Sequence, residues 1–246
     1  MTTEVVAREE WAAARKALLE KEKEITRAQD ALAAQLRDLP MVLVDKQYRF
    51  HGPDGSVLSL EDLFGGKDQL IVYHFMFGPD AERGCKGCAF LTYISHVTRR
   101  AHSGPSPYAL AQHRHGRCVP GAFEKLNAWK KRLGWTFPWY SSVGSEFNYD
   151  FHATLDPSVR PVEYNFATAA EREAKGLKYS TSGEQPGLIV FLRKDGMVYH
   201  TYSAYARGLE RLLVTFQLLD MTPLGRQVGP GGPGEFKLKY EFEEDA

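Results

Sequence analysis

The sequence predicts a mixed α/β sandwich with a long helix before it and a flexible tail after it. Three observations lead to this fold class. The apolar run Leu70 to Phe77 is typical of a buried strand, and a helical apolar repeat follows it after a loop that holds Cys85 and Cys88. A second apolar run, Gly187 to Leu192, turns at Asp195-Gly196 into a further strand, as a hairpin does. Strands and helices in this order pack as a sandwich.

Composition excludes several classes of function. The chain has 246 residues, and its 31 basic and 31 acidic side chains balance. The net charge therefore gives no reason to expect a nucleic-acid partner. No apolar stretch is long enough to span a bilayer, so no membrane partner is expected. The first residues do not resemble a secretory signal, and we expect a cytoplasmic protein. Three cysteines in such a protein indicate redox chemistry or metal binding rather than a disulfide framework.

Residues 1–39 are predicted to be a helical extension, because no Pro or Gly interrupts them from Val5 to Leu39 and Pro40 ends the pattern. Large apolar residues recur every seven positions on this helix, at Trp11, Leu18, Ile25, Leu32 and Leu39. So narrow a seam is typical of a helix that packs on a partner helix, such as that of a second copy in a homo-oligomer. The alternative is that the helix lies across its own domain.

Residues 40–226 are predicted to form the main domain. Its elements, in order, are a hairpin around Gly52-Pro53-Asp54-Gly55, a short helix at 60–64, the central strand, a helix at 122–133, a strand from Trp135 that contains Pro138, an insertion at 145–183 with a helix near 168–175, the second hairpin and a helix at 209–219. Residues 227–246 are predicted to be a Gly/Pro linker and a tail, which either adds a strand or is disordered.

The central strand leads to the residues that carry chemistry. Cys85 and Cys88 follow it at the start of a helix, where backbone N–H groups are unpaired and the helix dipole is positive. This environment favours the thiolate, which is the reactive form of cysteine. The pair is therefore a candidate for redox chemistry or for metal binding.

At these residues the chain resembles the thioredoxin superfamily, and more narrowly a bacterial family of thioredoxin-like proteins described as predicted dithiol–disulfide oxidoreductases. The resemblance covers about 40–226 and is carried by Tyr73-His74-Phe75-Met76-Phe77-Gly78-Pro79, Gly84-Cys85-Lys86-Gly87-Cys88, Gly134-Trp135-Thr136-Phe137-Pro138-Trp139, Phe147-Asn148-Tyr149-Asp150-Phe151 and Tyr202-Ser203-Ala204-Tyr205-Ala206-Arg207-Gly208. It implies a thioredoxin-like mixed-sheet sandwich. Pro186, directly before the second apolar run, resembles the cis-proline that faces the cysteine pair in that fold.

The resemblance implies thiol–disulfide exchange with a protein or small-molecule partner and no cofactor. Cys85 is then the nucleophile and Cys88 the resolving cysteine, because the first sulfur of such a pair is exposed and the second is partly buried. Lys86 is a cation at a helix start, where it either stabilises the Cys85 thiolate or is simply solvated. Trp135, Trp139 and Tyr149 are candidates for an apolar substrate groove, with core packing as the alternative for each.

Other interpretations of these residues stay open. One alternative is a zinc site, because the residue types and spacing fit for Cys85, Cys88, His115 and Cys118. Another is that Cys85 and Cys88 are inert core residues. A thiol peroxidase is disfavoured, because Glu82 stands where its motif needs a hydroxyl. A binding or assembly module with the same fold is the non-enzymatic alternative. His74 and Asp150 are weaker candidates for the site.

The segment 99–122 does not fit the family pattern, which places a helix end and then a buried parallel strand there. It is rich in Pro, Gly, His and Arg and has no apolar period. Read one base forward, the codons for His115 to Ala122 permit the apolar sequence Met-Ala-Val-Val-Ser-Arg-Ala. We hypothesise a compensated frameshift that costs the domain this strand. Resequencing the DNA tests the hypothesis, and the same residues in close relatives would reject it.

Overall fold

The computed structural model describes residues 4–77, 83–92, 108–114, 122–177, 180–229, 232–238 and 241, with backbone alone for 108–114 and 122–124. The chain divides into two compact units, residues 1–41 and residues 42–246. In the described part, no helix is both long enough and apolar enough to cross a membrane.

The first unit consists mainly of one helix, α1, Arg8–Arg37, and the prediction of a long N-terminal helix is confirmed. Glu9 and Glu10 lie in its first turn and Arg37 in its last, where each charge opposes the helix dipole. None of its residues is buried. The seam residues Trp11, Leu18, Ile25 and Leu32 have exposed fractions of 54, 52, 58 and 44 %.

The second unit is built on an eight-stranded sheet, with strand order β1-β12-β11-β4-β5-β6-β2-β3. Its strands are β1 (Val42–Leu43), β2 (Phe50–His51), β3 (Val57–Leu58), β4 (Gln69–Phe75), β5 (Tyr108–Arg114), β6 (Trp139–Ser141), β11 (Gly187–Lys194) and β12 (Met197–Tyr205). Strands β4, β5 and β6 run parallel, whereas β11 and β12 form the predicted antiparallel hairpin beside β4. This is the thioredoxin-like mixed sheet that the sequence predicts.

Strand β5 corrects the interpretation of the segment 99–122. The sequence indicated that the parallel strand beside β4 was lost, yet residues 108–114 pair with β4 from Gln69↔Tyr108 to Phe75↔Arg114. The strand lies upstream of the codons suspected of a frameshift, so the sheet is complete without them. The suspect residues 115–121 lie outside the described part, and the frameshift itself remains a hypothesis.

The central strand β4 buries both of its faces, because successive side chains of a strand point to opposite sides. Leu70 and Val72 join one apolar cluster, whereas Tyr73 and Phe75 join another that also contains Cys88. All four are at most 2 % exposed. The strand therefore carries one side of the cysteine site on its odd-numbered residues.

The remaining helices flank this sheet. They are α2, whose described part is 86–92, α3 (Ala122–Arg132), α4 (Phe147–Asp150), α5 (Ala169–Ala174) and α6 (Val214–Asp220), with 3-10 turns at Asp62–Phe64, Ala206–Leu212 and Gly232–Glu235. The prediction of a single helix at 209–219 is wrong in one respect. The observed helical segment is interrupted at Leu213, whose backbone (φ −92°, ψ 80°) is not helical.

The insertion 145–183 is built from short elements, with strands β7 (Thr154–Leu155), β8 (Glu163–Tyr164), β9 (Ala167–Thr168) and β10 (Gly183–Glu184). Thr168 and Glu171 form a capping box that starts α5, near the predicted position. The Tyr164 hydroxyl donates to the carbonyl of Pro186 at 3.1 Å and accepts from the N–H of Ala206 at 3.1 Å. The insertion thus holds the segment that precedes β11.

The described residues of the C-terminal tail pack on the domain, whereas the sequence predicts either a flexible tail or an added strand. Leu238 is 6 % exposed and belongs to the apolar cluster that contains Cys88. The Phe236 ring stacks on the Phe90 ring of α2, with centroids 4.7 Å apart. Both contacts remove apolar surface from water, which favours packing of these residues on the domain. The described tail has a 3-10 turn and no strand.

Candidate active site

Cys85 is positioned by the end of β4 and the start of α2. Its N–H donates to the carbonyl of Met76 at 3.1 Å, and its carbonyl accepts the first helical hydrogen bond, from Ala89 at 2.9 Å. Cys85 therefore occupies the N-cap position of α2, where a side chain can accept hydrogen bonds from the free N–H groups of the first turn.

The Cys85 sulfur uses these donors. The N–H of Cys88 donates to Cys85 Sγ at 3.5 Å. The pKa of Cys85 is lowered to about 6, mainly by the hydrogen bond from the Cys88 thiol and further by the backbone N–H groups of Cys88 and Gly87, whereas burial opposes the shift. The pKa lies below physiological pH, so Cys85 is mostly thiolate there.

Cys88 has the opposite environment. Its side chain is 2 % exposed, and burial raises its pKa well above the ordinary value, as does the adjacent Cys85 thiolate. The Tyr73 hydroxyl opposes this effect by hydrogen bonding. At neutral pH Cys88 is therefore a protonated, buried thiol that donates to an accessible thiolate.

The two thiols open into a groove of about 370 Å³. Its lining residues are Tyr73, Met76, Cys85, Gly87, Cys88, Leu91, Pro186, Ala206, Arg207, Leu209, Glu210, Leu213, Pro233 and Gly234. The structure thus brings Pro186 to the cysteine pair, as the resemblance implies. The cis geometry that the resemblance implies is wrong, because the described part of the chain contains no cis peptide bond. The trans isomer is the lower in energy, and Tyr164 holds its carbonyl.

Two glycines flank Cys85, and sequence reasoning assigned them no role. A Cβ atom on Gly84 would lie 2.6 Å from Phe75 Cε1 and 2.9 Å from Trp129 Nε1, so only glycine fits there. A Cβ atom on Gly87 would lie 3.6 Å from the Gly234 nitrogen and 3.9 Å from Cys85 Sγ. A glycine close to Cys85 on each side, within the Gly84-Cys85-Lys86-Gly87-Cys88 motif, is the signal that could have identified both positions.

The sequence leaves open whether Lys86 stabilises the Cys85 thiolate or is simply solvated, and the structure pairs its ammonium group with Glu241. Its Nζ atom lies 2.5 Å from Oε1 of Glu241, and its charge is not among the causes of the lowered Cys85 pKa. A carboxylate beside the ammonium group cancels most of its field at the sulfur. Glu241 itself comes from the C-terminal tail, which sequence reasoning did not connect with the site.

The structure does not bring Trp135, Trp139 and Tyr149 to the groove. Trp135 and Trp139 are 4 and 2 % exposed, and both rings pack against Phe75. The guanidinium of Arg160 lies over the Tyr149 ring at 5.8 Å. For the two tryptophans the structure corresponds to the core-packing alternative, because burial leaves no surface for a substrate.

His74 and Asp150 also lie elsewhere. The His74 ring is 2 % exposed and stacks on Phe147 at 5.3 Å, within the side of β4 that faces away from Tyr73. Asp150 accepts hydrogen bonds from Lys46 and Tyr48 at 2.8 Å. Neither residue lines the groove, as far as its described residues define it.

The zinc and peroxidase alternatives rest on residues outside the described part. They are His115 and Cys118 for zinc, and Pro79 and Glu82 for a peroxidase. Among the side chains that the structure does describe, no three His, Cys, Asp or Glu residues are grouped as metal ligands would be.

Comparisons with solved structures found several similar chains. Peroxiredoxin Q of Xanthomonas campestris has a TM-score of 0.38 and 12 % identity, covering 72 % of this chain and 96 % of that one. BsSco, a member of the Sco family of cytochrome c oxidase assembly proteins, has a TM-score of 0.39 and 15 % identity, covering 70 % and 87 %. Thioredoxin from Wuchereria bancrofti has a TM-score of 0.33 and 14 % identity, covering 63 % and 83 %. The fold assignment itself rests on the strand order of this chain.

A comparison with curated protein sequences found no match. A family model, however, matches residues 1–241 and therefore includes α1 and the tail as far as Glu241. The resemblance seen in the sequence covered only about 40–226. Since the match spans nearly the whole chain, this protein belongs to the family described as bacterial protein of unknown function (DUF899).

Proposed function

We propose that the protein catalyses thiol–disulfide exchange through Cys85 and Cys88. The observation that carries the proposal is the asymmetry of the two thiols. Cys85 lines the groove with a pKa of about 6, whereas Cys88 is buried with a raised pKa. A nucleophile must be ionised and accessible, whereas a resolving thiol must stay protonated until the mixed disulfide forms. The pair meets both requirements.

The proposed reaction has two steps. The Cys85 thiolate attacks one sulfur of a substrate disulfide, the S–S bond breaks, and the distal sulfur leaves as a thiolate. Cys88 then loses its proton and attacks the Cys85 sulfur, which releases the second substrate thiolate and leaves a Cys85–Cys88 disulfide. The substrate gains two electrons, and a thiol reductant restores the pair.

We place this cycle in the cytoplasm, whose thiol pool is reducing and could restore the dithiol. With an oxidising partner the same steps run in reverse. The substrate is a disulfide of a protein or of a small molecule, because the chemistry at Cys85 needs only an accessible sulfur.

The experiment that tests the proposal is insulin disulfide reduction with dithiothreitol as the electron source. The parent protein should accelerate the reaction, and Cys85→Ser should abolish the acceleration because serine cannot form a mixed disulfide. Cys118→Ser is the matched control and should retain full activity. If the parent is inactive with insulin and with a small aromatic disulfide alike, or if Cys85→Ser is as active as the parent, the proposal is wrong.

A second proposal concerns α1, because its apolar seam is about half exposed at four positions spaced seven residues apart. We propose that α1 pairs with the same helix of a second copy, which would make the protein a homo-oligomer. This assembly role could exist with or without redox activity. Sedimentation equilibrium tests the pairing. Ile25→Asp should shift the protein to monomer, whereas Lys23→Asp, two residues away and outside the seam, should not. A monomeric parent at micromolar concentration would reject the pairing.

A further inference from the structure

The C-terminal tail reaches the groove that contains Cys85. We define the C-terminal strap as residues 232–238 together with Glu241. Pro233 and Gly234 line the same groove as Cys85 and Pro186. The Gly234 nitrogen would lie only 3.6 Å from a Cβ atom on Gly87, one of the two residues between the cysteines. The strap therefore forms one wall of the groove, directly over the Cys-x-x-Cys turn.

Apolar contacts anchor the strap beyond this wall. The Phe236 ring stacks on Phe90 of α2 at 4.7 Å and lies 5.9 Å from the Phe216 ring of α6. Leu238 is 6 % exposed, within the cluster that holds Cys88. Stacked rings and a buried leucine place apolar surface of the strap against the domain. The strap is therefore packed on the same helix that carries the cysteines.

Polar contacts fix its two ends. At the far end, Glu241 Oε1 lies 2.5 Å from Lys86 Nζ, and Glu241 Oε2 accepts the N–H of Leu238 at 2.7 Å. These contacts lower the pKa of Glu241, with the Lys86 hydrogen bond as the largest cause. At the near end, the N–H of Gly229 donates to Glu235 Oε2 at 2.6 Å. We call the Lys86–Glu241 pair the latch, because it joins the strap to the residue after Cys85.

We propose that the C-terminal strap selects substrates at Cys85: latched, it favours small disulfides over extended polypeptide segments. With the strap in place the groove measures about 370 Å³, at the small end of the range for ligand pockets. A peptide disulfide needs room on both sides of its sulfur, and the strap fills one of those sides. Release of Glu241 from Lys86 frees the strap end and widens the groove.

The choice of substrate class rests on the proposed function, but the effect of the strap on access does not. Alkylation of Cys85 therefore tests it without any redox turnover. We propose to measure the rate of Cys85 alkylation by iodoacetamide and by an iodoacetyl-capped decapeptide, with the site assigned by peptide mapping and mass spectrometry. Both probes react with the same thiolate, so the ratio of the peptide rate to the small-probe rate cancels any change in the pKa of Cys85.

Glu241→Gln keeps the shape of the side chain and removes the ion pair. We expect it to raise the rate ratio by about two- to fivefold, the range that a partly exposed ion pair supplies. Phe236→Ala removes the stacked anchor and should raise the ratio by about tenfold or more. Glu173→Gln, the same substitution at an exposed carboxylate of α5 that does not line the groove, is the control and should leave the ratio unchanged. Circular dichroism would verify that each variant is folded at the assay temperature.

Salt gives an independent check on the latch. At 1 M NaCl the screening length is about 3 Å, which weakens the ion pair. The peptide-to-iodoacetamide rate ratio of the parent should therefore rise towards that of Glu241→Gln, whereas salt should not change the ratio of Glu241→Gln. A ratio that stays at the parent value in both Glu241→Gln and Phe236→Ala overturns the proposal. A rise in Phe236→Ala alone supports the wall and overturns the latch. Either result stands whether or not the protein reduces disulfides.

Discussion

The Cys88 thiol lowers the pKa of Cys85 more than any other group does, so replacing Cys88 should change the pH dependence of the first chemical step. The perturbation is Cys88→Ala, made with Cys118→Ser so that Cys85 is the one remaining cysteine. In the parent, half of Cys85 is thiolate at pH 6. If the pKa rises to an ordinary value of about 8.5, the thiolate fraction at pH 6 falls by about 160-fold.

The rate should fall by less than the thiolate fraction, because a more basic thiolate is a better nucleophile. With a Brønsted coefficient of about 0.45, the same pKa change raises the intrinsic rate by about 13-fold. The net expectation at pH 6 is therefore a decrease of about tenfold. Above about pH 9 both proteins are mostly thiolate, and the variant should be faster than the parent by about the same factor.

Stopped-flow reaction with an excess of an aromatic disulfide, followed by the absorbance of the released thiolate, measures this step from pH 5 to 10. The two profiles should cross. Cys118→Ser, which is the reference protein for this comparison, should release two thiolates per chain, and Cys88→Ala in the same background only one. Cys88→Ser keeps a hydroxyl donor and is the matched control, with an intermediate pKa. If the Cys88→Ala profile superimposes on that of the parent, the hydrogen bond from Cys88 does not set the Cys85 pKa.

Three further predictions follow from the same contacts. In urea titrations, Gly84→Ala should destabilise the protein by about 1–3 kcal/mol, because its Cβ would overlap Phe75. Gly208→Ala is the control: its Cβ would lie 3.6 Å from Ala204 Cβ, and the free energy of unfolding should change by less than about 0.5 kcal/mol. Tyr164→Phe should lower the free energy of unfolding by about 1–3 kcal/mol in the same titrations, because the Pro186 carbonyl and the Ala206 N–H both lose the Tyr164 hydroxyl as a partner. A change within error would show that water replaces the hydroxyl. The free energy of unfolding of the reduced protein should decrease by no more than about 3 kcal/mol as pH falls from about 8.5 to 6, because the lowered pKa of Cys85 stabilises the fold only while the thiol is ionised. Cys85→Ala should lack this pH dependence. An equal pH dependence in both proteins would assign it to other groups.

Local patterns were sufficient to predict much of the fold. The apolar run of β4, the Asp195-Gly196 turn of the β11–β12 hairpin and the capping residues of α5 each fix a structure through interactions within a few residues. Strand β5 was missed because Tyr-Ala-Leu-Ala is a short run in which alanine favours helix over strand. Pairing with β4 on one side and β6 on the other overrides that preference.

The site was predictable only in part, for a similar reason. Cys85 and Cys88 lie together in sequence, and their order relative to β4 indicates which is exposed. The latch joins Lys86 to Glu241, and the groove wall joins Gly87 to Gly234, so both depend on the path of the whole chain. Trp135 and Trp139 illustrate the converse: an aromatic motif near a reactive residue is as compatible with core packing as with substrate binding.

The reduction potential of the Cys85–Cys88 pair tests the central proposal most directly. Protein equilibrated in glutathione buffers of defined potential would be trapped with acid and analysed by mass spectrometry for a Cys85–Cys88 disulfide. We predict a single two-electron transition between about −270 and −120 mV, the range of known Cys-x-x-Cys oxidoreductases, and no transition in Cys85→Ser. If the two cysteines remain reduced thiols at the most oxidising poise, they are not a redox pair and the proposed function is wrong.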